Sequence, residues 1–151
     1  MLDLKIPPLL VAALCAGLMA AVTVALPMLA IALPANVSIA IALASLGAAI
    51  AAAGVIEFRR RRTTVNPLTP EAAAGVVSTG IYRYSRNPMY LGFALVLAGF
   101  AAYLANLAAF ALLPLFVAYL NAFQIGPEER ALLAKFGPDF AAYMARVRRW
   151  L

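Results

Sequence analysis

The chain has no histidine, one cysteine and only six acidic residues in 151. Without histidine the commonest general base and the commonest metal ligand are missing, which argues against Ser-His-Asp hydrolases, Cys-His enzymes and zinc hydrolases. A single cysteine, Cys15, cannot form a disulfide within the chain and reads as a small apolar residue in a helix. Charge is absent over long stretches: no Asp, Glu, Lys or Arg occurs from Ile6 to Ile56 or from Asn87 to Pro127. Overall 66% of residues are hydrophobic, 12% are charged and the mean hydropathy is +0.93. A soluble domain carries about 25% charged residues. A spanning helix needs about 20 apolar residues, so each charge-free stretch is long enough for two crossings.

These observations predict an all-α, integral membrane four-helix protein with a cytoplasmic surface loop and amphipathic C-terminal helices. The competing reading of the first span is a cleaved signal peptide. Against it, Asp3 offsets Lys5 and the apolar run continues far past a signal's apolar core. One domain covers 1–151, with two N-terminal helices in 1–58, a loop over 59–87, a helical hairpin over 88–124 and an interfacial tail over 127–151. The first helix is expected from Pro8 to Leu33, with Pro27 kinking it or ending its regular part. After a turn at Pro34-Ala35-Asn36, the second runs from Val37 to Phe58. Its Ser45, Gly47 and Gly54 permit close backbone approach in lipid, which suggests a central helix and a lateral gap for a lipophilic molecule. The third helix is expected from Pro88 to Leu104 and the fourth from Leu107 to Gln124, with Asn106 at the hairpin turn and Pro114 inside the fourth. In the tail, Pro127 suits a first helical turn, with Glu128 and Glu129 near the positive end of the dipole. Gly137-Pro138 breaks that helix.

All charges therefore lie before Pro7, between Glu57 and Arg86, or after Pro127. With four crossings these regions share one side, and the positive-inside rule makes that side, with both termini, cytoplasmic. Arg59 to Arg62 read as topology signals, and Arg148 and Arg149 as headgroup contacts. The net charge of +6 is accounted for by membrane lipids of anionic type, with no nucleic acid. The dense polar stretch "YRYSRNPMY", Tyr82 to Tyr90, then falls at the same bilayer face as Glu128-Glu129. The hairpin makes these two helix ends neighbours.

"TGIYRYSRNPMYLG", a two-helix hairpin and "EERALLAKFGPDFAAYMARVRRW" together resemble the isoprenylcysteine carboxyl methyltransferase and phospholipid methyltransferase group of small membrane enzymes. The likeness covers about Val77 to Trp150. It implies S-adenosylmethionine as methyl donor and a lipophilic small-molecule, prenylated or lipid acceptor reached from the bilayer. The cofactor-binding residues it implies are Tyr82, Arg83, Arg86, Asn87, Tyr90, Gly92, Glu128 and Glu129. The catalytic ones are Arg86, Asn87, Tyr90 and Arg146, and no metal is implied. The group's arginine-histidine-proline is here Arg86-Asn87-Pro88; asparagine hydrogen-bonds but cannot titrate. Glu128 and Glu129 suit the donor's ammonium or ribose hydroxyls, Arg83 or Arg86 its carboxylate, and the tyrosines its sulfonium or adenine. Transfer to an existing anion needs in-line positioning and exclusion of water, not a general base. Alternatives are an NADPH-dependent membrane reductase of the sterol reductase type and a catalytically inactive membrane module.

Overall fold

The computed structural model describes residues 6–60 and 75–151. Among these the protein is helical with no strand, only an isolated bridge between Ala30 and Asn106. The elements are α1 (Pro8–Ala25), α2 (Asn36–Arg60), α3 (Pro88–Leu104), α4 (Leu107–Leu120) and α5 (Gly126–Arg146). Short 3₁₀ turns occupy Pro27–Leu29 and Gly80–Arg83. α1, α2 and the rod that begins at Leu107 are each long and apolar enough to cross a membrane, and α3 is a shorter apolar helix. The protein is an integral membrane protein. Residues 61–74 of the loop expected between Arg59 and Arg86, with its Asn66-Pro67 and Thr69-Pro70 steps, lie outside the described residues.

The first helix is shorter than its apolar run because proline disfavours helical geometry in the residue before it. Leu26 accordingly sits at φ −125°, ψ 61°, and the helix stops at Ala25. The chain then folds onto the hairpin turn between α3 and α4. Ile31 N–H donates to the Ala105 carbonyl at 2.8 Å, and the Asn106 amide donates to the Leu26 carbonyl at 3.0 Å. Asn106 also caps α4 by accepting from the Ala108 N–H.

α3, not α2, is the central helix. One of its faces packs on α2 through small residues: a Cβ added at Gly92 would stand 2.5 Å from the Gly47 carbonyl, and one at Gly99 would stand 2.8 Å from that of Ala40. Gly54 faces Met89, Pro88 and Tyr82. Gly47 and Gly54 are therefore filled by α3 and leave no lateral gap, while Ser45 is exposed. The opposite face of α3 carries Tyr90, Leu97 and Ala101 into a core with Met19 of α1 and Phe116 and Leu120 of α4. The rest of α2 faces outward with Ile41, Leu46 and Ile56, as a lipid-exposed helix requires.

The fourth helix does not end before the tail. α4 continues into α5 through one π turn, Asn121–Ile125, in which Gly126 N–H bonds the Asn121 carbonyl five residues back. Pro127 has no N–H to offer the ladder, and the wider turn carries the helix past it. The break expected at Gly137 is present: its φ of 51° and ψ of −124° interrupt the helix before Pro138.

Candidate active site

The site is built at the α2–C-terminal, α3–N-terminal end of the bundle. Thr79 N-caps the turn Gly80–Arg83, and its hydroxyl donates to the buried carboxylate of Glu57 at the end of α2. Gly80 sits there at φ 57°, with its α-carbon against Glu57, where any side chain would collide. This fixes Tyr82, whose ring meets Phe58 edge-on at 5.0 Å between centroids. Tyr82 is also held through its carbonyl, which accepts from the Tyr143 hydroxyl at 2.8 Å. Pro88 then starts α3, for which its fixed φ is suited.

A cavity of about 230 Å³ opens here, lined by Phe58, Tyr82, Arg86, Asn87, Met89, Tyr90 and Glu128. The Tyr90 hydroxyl donates to Glu128 Oε2 at 3.0 Å. Glu129, one residue on, points to a different set of partners. It takes Arg86 at 3.1 Å on Oε1 and Arg149 at 2.5 Å on Oε2, with Arg149 Nε also donating to Oε1 at 3.2 Å. Two guanidinium charges share one carboxylate, so this cluster keeps one net positive charge. Glu128, by contrast, has no cation partner among the described residues. Burial pushes its carboxyl up to about 7; the Tyr90 hydrogen bond opposes that rise and the neighbouring Glu129 adds to it. The Tyr82 and Tyr143 hydroxyls are held well above the usual phenol range, chiefly by burial.

Two buried polar atoms of residues that line the cavity have no hydrogen-bond partner among the described residues: the Tyr82 hydroxyl and Arg86 Nε. Such atoms are costly unless something satisfies them.

Tyr82, Arg86, Asn87, Tyr90 and Glu128 are therefore brought together, with Glu129 directly behind Arg86. Three other sequence candidates lie elsewhere. Arg83 is exposed on the outside of its turn. Gly92 is at the α2 contact. Arg146 is exposed in the last turn of α5, donating to its own helix at Ala142. Sequence reasoning missed Phe58 and Met89, whose apolar character gives no signal. It also read Arg149 as a headgroup contact, whereas its guanidinium is committed to Glu129. The rest of the "RVRRW" segment is equally engaged: Arg86 N–H donates to the Arg148 carbonyl at 3.0 Å, and the Asn87 amide to that of Arg149 at 2.9 Å.

Apolar helices long enough to cross a bilayer, with a polar cavity gathered at one end of the bundle, define a membrane protein with a candidate site at that end. The chain matches the phospholipid methyltransferase family over residues 35–139, well over half its length, and belongs to that family of membrane methyltransferases. It is also 40% identical over 63 residues to an uncharacterised protein of Haemophilus influenzae; the match covers 42% of this chain and all of that relative. No solved structure matches it.

Proposed function

We propose that this protein is an S-adenosylmethionine-dependent methyltransferase that acts on a lipophilic acceptor at the cytoplasmic face of the membrane. The observation that carries the reading is the charge arrangement around the cavity. A donor of this kind ends in an ammonium and a carboxylate, with a sulfonium a few bonds away. Among the described residues Glu128 is a carboxylate without a cation, and Arg86, with Glu129 and Arg149, is a positive cluster whose Arg86 Nε has no hydrogen-bond partner. Both halves of a zwitterion are therefore matched. The aromatic faces of Phe58, Tyr82 and Tyr90 suit a sulfonium, at about 0.5–2 kcal/mol for a cation–π contact. The lining is a small set of residues at one end of the bundle, and its charges and aromatic faces suit the methionine end of the donor.

When bound, S-adenosylmethionine supplies a methyl group already activated on sulfur. The protein's part is to hold and to exclude. Glu128 binds the ammonium and Arg86 the carboxylate. Tyr90, by donating to Glu128, aims that carboxylate and favours its ionised form against the burial that raises its pKa. Phe58 and Met89 keep water from the sulfonium. The family's name points to a lipid acceptor, and the site's position at the end of the apolar bundle agrees: the tail stays in lipid while the reacting group reaches the polar level.

The test is calorimetry with S-adenosylhomocysteine on protein in lipid nanodiscs, followed by transfer of labelled methyl to extracted lipids. Tight binding that is lost in Glu128→Ala supports the reading. Protection against thermal unfolding by NADPH, with none by S-adenosylhomocysteine, would replace it with the reductase alternative.

A further inference from the structure

The segment Val147–Trp150 leaves α5 in extended geometry, Val147 standing at φ −122°, ψ 131°. It then runs back across the start of α3. Apart from the Val147 N–H, which closes the helix on the Tyr143 carbonyl, the segment's polar contacts among the described residues fall in or beside the cavity wall or on the π turn. The Arg148 carbonyl accepts from the Arg86 N–H at 3.0 Å. The Arg149 carbonyl accepts from the Asn87 amide at 2.9 Å and, at 3.5 Å, from the Ser85 hydroxyl. The Arg149 side chain holds Glu129 by two bonds. Trp150 Nε1–H donates to Asn121 Oδ1 at 3.1 Å, and the indole packs on the core between α1, α3 and α4.

We propose that Arg149 and Trp150 are positioning residues of this site: Trp150 anchors the segment on the π turn, and Arg149 sets the charge and direction of the Arg86 guanidinium through Glu129. The inference rests on the donor-binding reading above. Its electrostatic logic is simple. With Arg86 alone, Glu129 would cancel its charge and leave a neutral pair. With Arg149 added, Glu129 is satisfied twice, and one positive charge is left for a ligand carboxylate. A guanidinium bound to a carboxylate is a strong, directional contact, so the same carboxylate also fixes which way Arg86 points. The asparagine at 87 is fixed at the same time, since its amide is spent on the segment rather than on its own helix.

Trp150 is the only tryptophan in the chain, so its fluorescence reports the segment directly. Protein in nanodiscs is examined by acrylamide quenching of Trp150 and by calorimetry with S-adenosylhomocysteine, in wild type, Arg149→Ala, Arg149→Lys, Asn121→Ala and the exposed-site control Arg148→Ala. Arg149→Ala should unshield Trp150 and weaken binding roughly ten- to hundredfold, the scale of one charge-assisted hydrogen bond. Arg149→Lys restores the charge and should recover a large part of that affinity, which a merely structural role would not predict. Asn121→Ala should release Trp150 and weaken binding less. Trp150 equally shielded in Arg149→Ala, or unchanged affinity in that variant, overturns the proposal. Wild-type protein that does not bind S-adenosylhomocysteine overturns the donor reading instead, while the quenching comparison, which needs no ligand, still decides whether Arg149 holds the segment.

Discussion

Glu128 and Glu129 are adjacent in sequence and opposite in circumstance. Glu129 is neutralised by two arginines, while Glu128 has a tyrosine hydroxyl and an elevated pKa of about 7. A cationic ligand binds the carboxylate form, so a proton competes with it. Affinity for S-adenosylhomocysteine should therefore fall as pH drops below about 7 and level off above. Calorimetry from pH 6 to 8 checks this, and in Glu128→Gln the dependence should vanish with the affinity already low. Tyr90→Phe removes the hydrogen bond that holds the pKa down, so the midpoint should move upward. Linkage to stability has the opposite sign. A folded-state pKa raised above the ordinary 4.5 means that the folded protein binds the extra proton. Stability of the ligand-free protein should then decline as pH rises from about 4.5 to 7, with a slope of at most about 1.4 kcal/mol per pH unit. Thermal midpoints across that window, compared with Glu128→Gln, measure it.

At the scale of elements, α2 is held chiefly by backbone proximity to α3. Gly47 and Gly92 face each other so closely that either Cβ would stand 2.5 Å from the opposite carbonyl. Gly92→Ala or Gly47→Ala should cost about 1–3 kcal/mol of stability, as overpacking does. Because α2 carries Phe58 and Glu57 to the site, donor affinity should weaken in the same variants. Gly17, in α1, has nothing within 4 Å of an added Cβ. Gly17→Ala should be neutral or add about 0.5–1 kcal/mol through helix propensity. Thermal unfolding in one lipid composition compares all three. Helix boundaries were largely legible beforehand: Pro88, Asn106 and Gly137 mark theirs by backbone chemistry. The π turn at Asn121–Ile125 was not legible, because an Asn-Ala-Phe-Gln-Ile run carries no local signal for a wider turn.

For the whole molecule, the charge-free hairpin turns and the charged end should face opposite compartments, with the site on the cytoplasmic side. In a Cys15→Ala background, a cysteine at the exposed Pro34 should react with an impermeant reagent from outside intact cells. One at the exposed Tyr84 should react only after the membrane is opened. The reverse pattern would overturn the orientation. Lateral access by a lipid acceptor predicts that methylation in nanodiscs rises with acceptor chain length until partitioning is complete, then levels off. A water-soluble short-chain acceptor methylated equally well at the same bulk concentration would exclude that route.

By itself the sequence determined the solvent of this protein and the end of the helical bundle at which its polar residues gather. Long charge-free runs can only be satisfied by helices in lipid, and charges confined to three segments must meet at one end of a four-helix arrangement. It also brought Tyr82, Arg86, Asn87 and Tyr90 near the paired glutamates, because a tight hairpin leaves no other choice. Tertiary structure alone decided which glutamate was free. Glu128 and Glu129 are chemically identical, and only the approach of Arg149 from beyond α5, and of Tyr90 from α3, separates a carboxylate paired with two arginines from one that meets a tyrosine hydroxyl. It likewise decided that α3 is central and that the small residues of α2 are contact surfaces. Helical periodicity says which residues share a face, whereas the neighbour that fills that face is set by packing across elements distant in the chain.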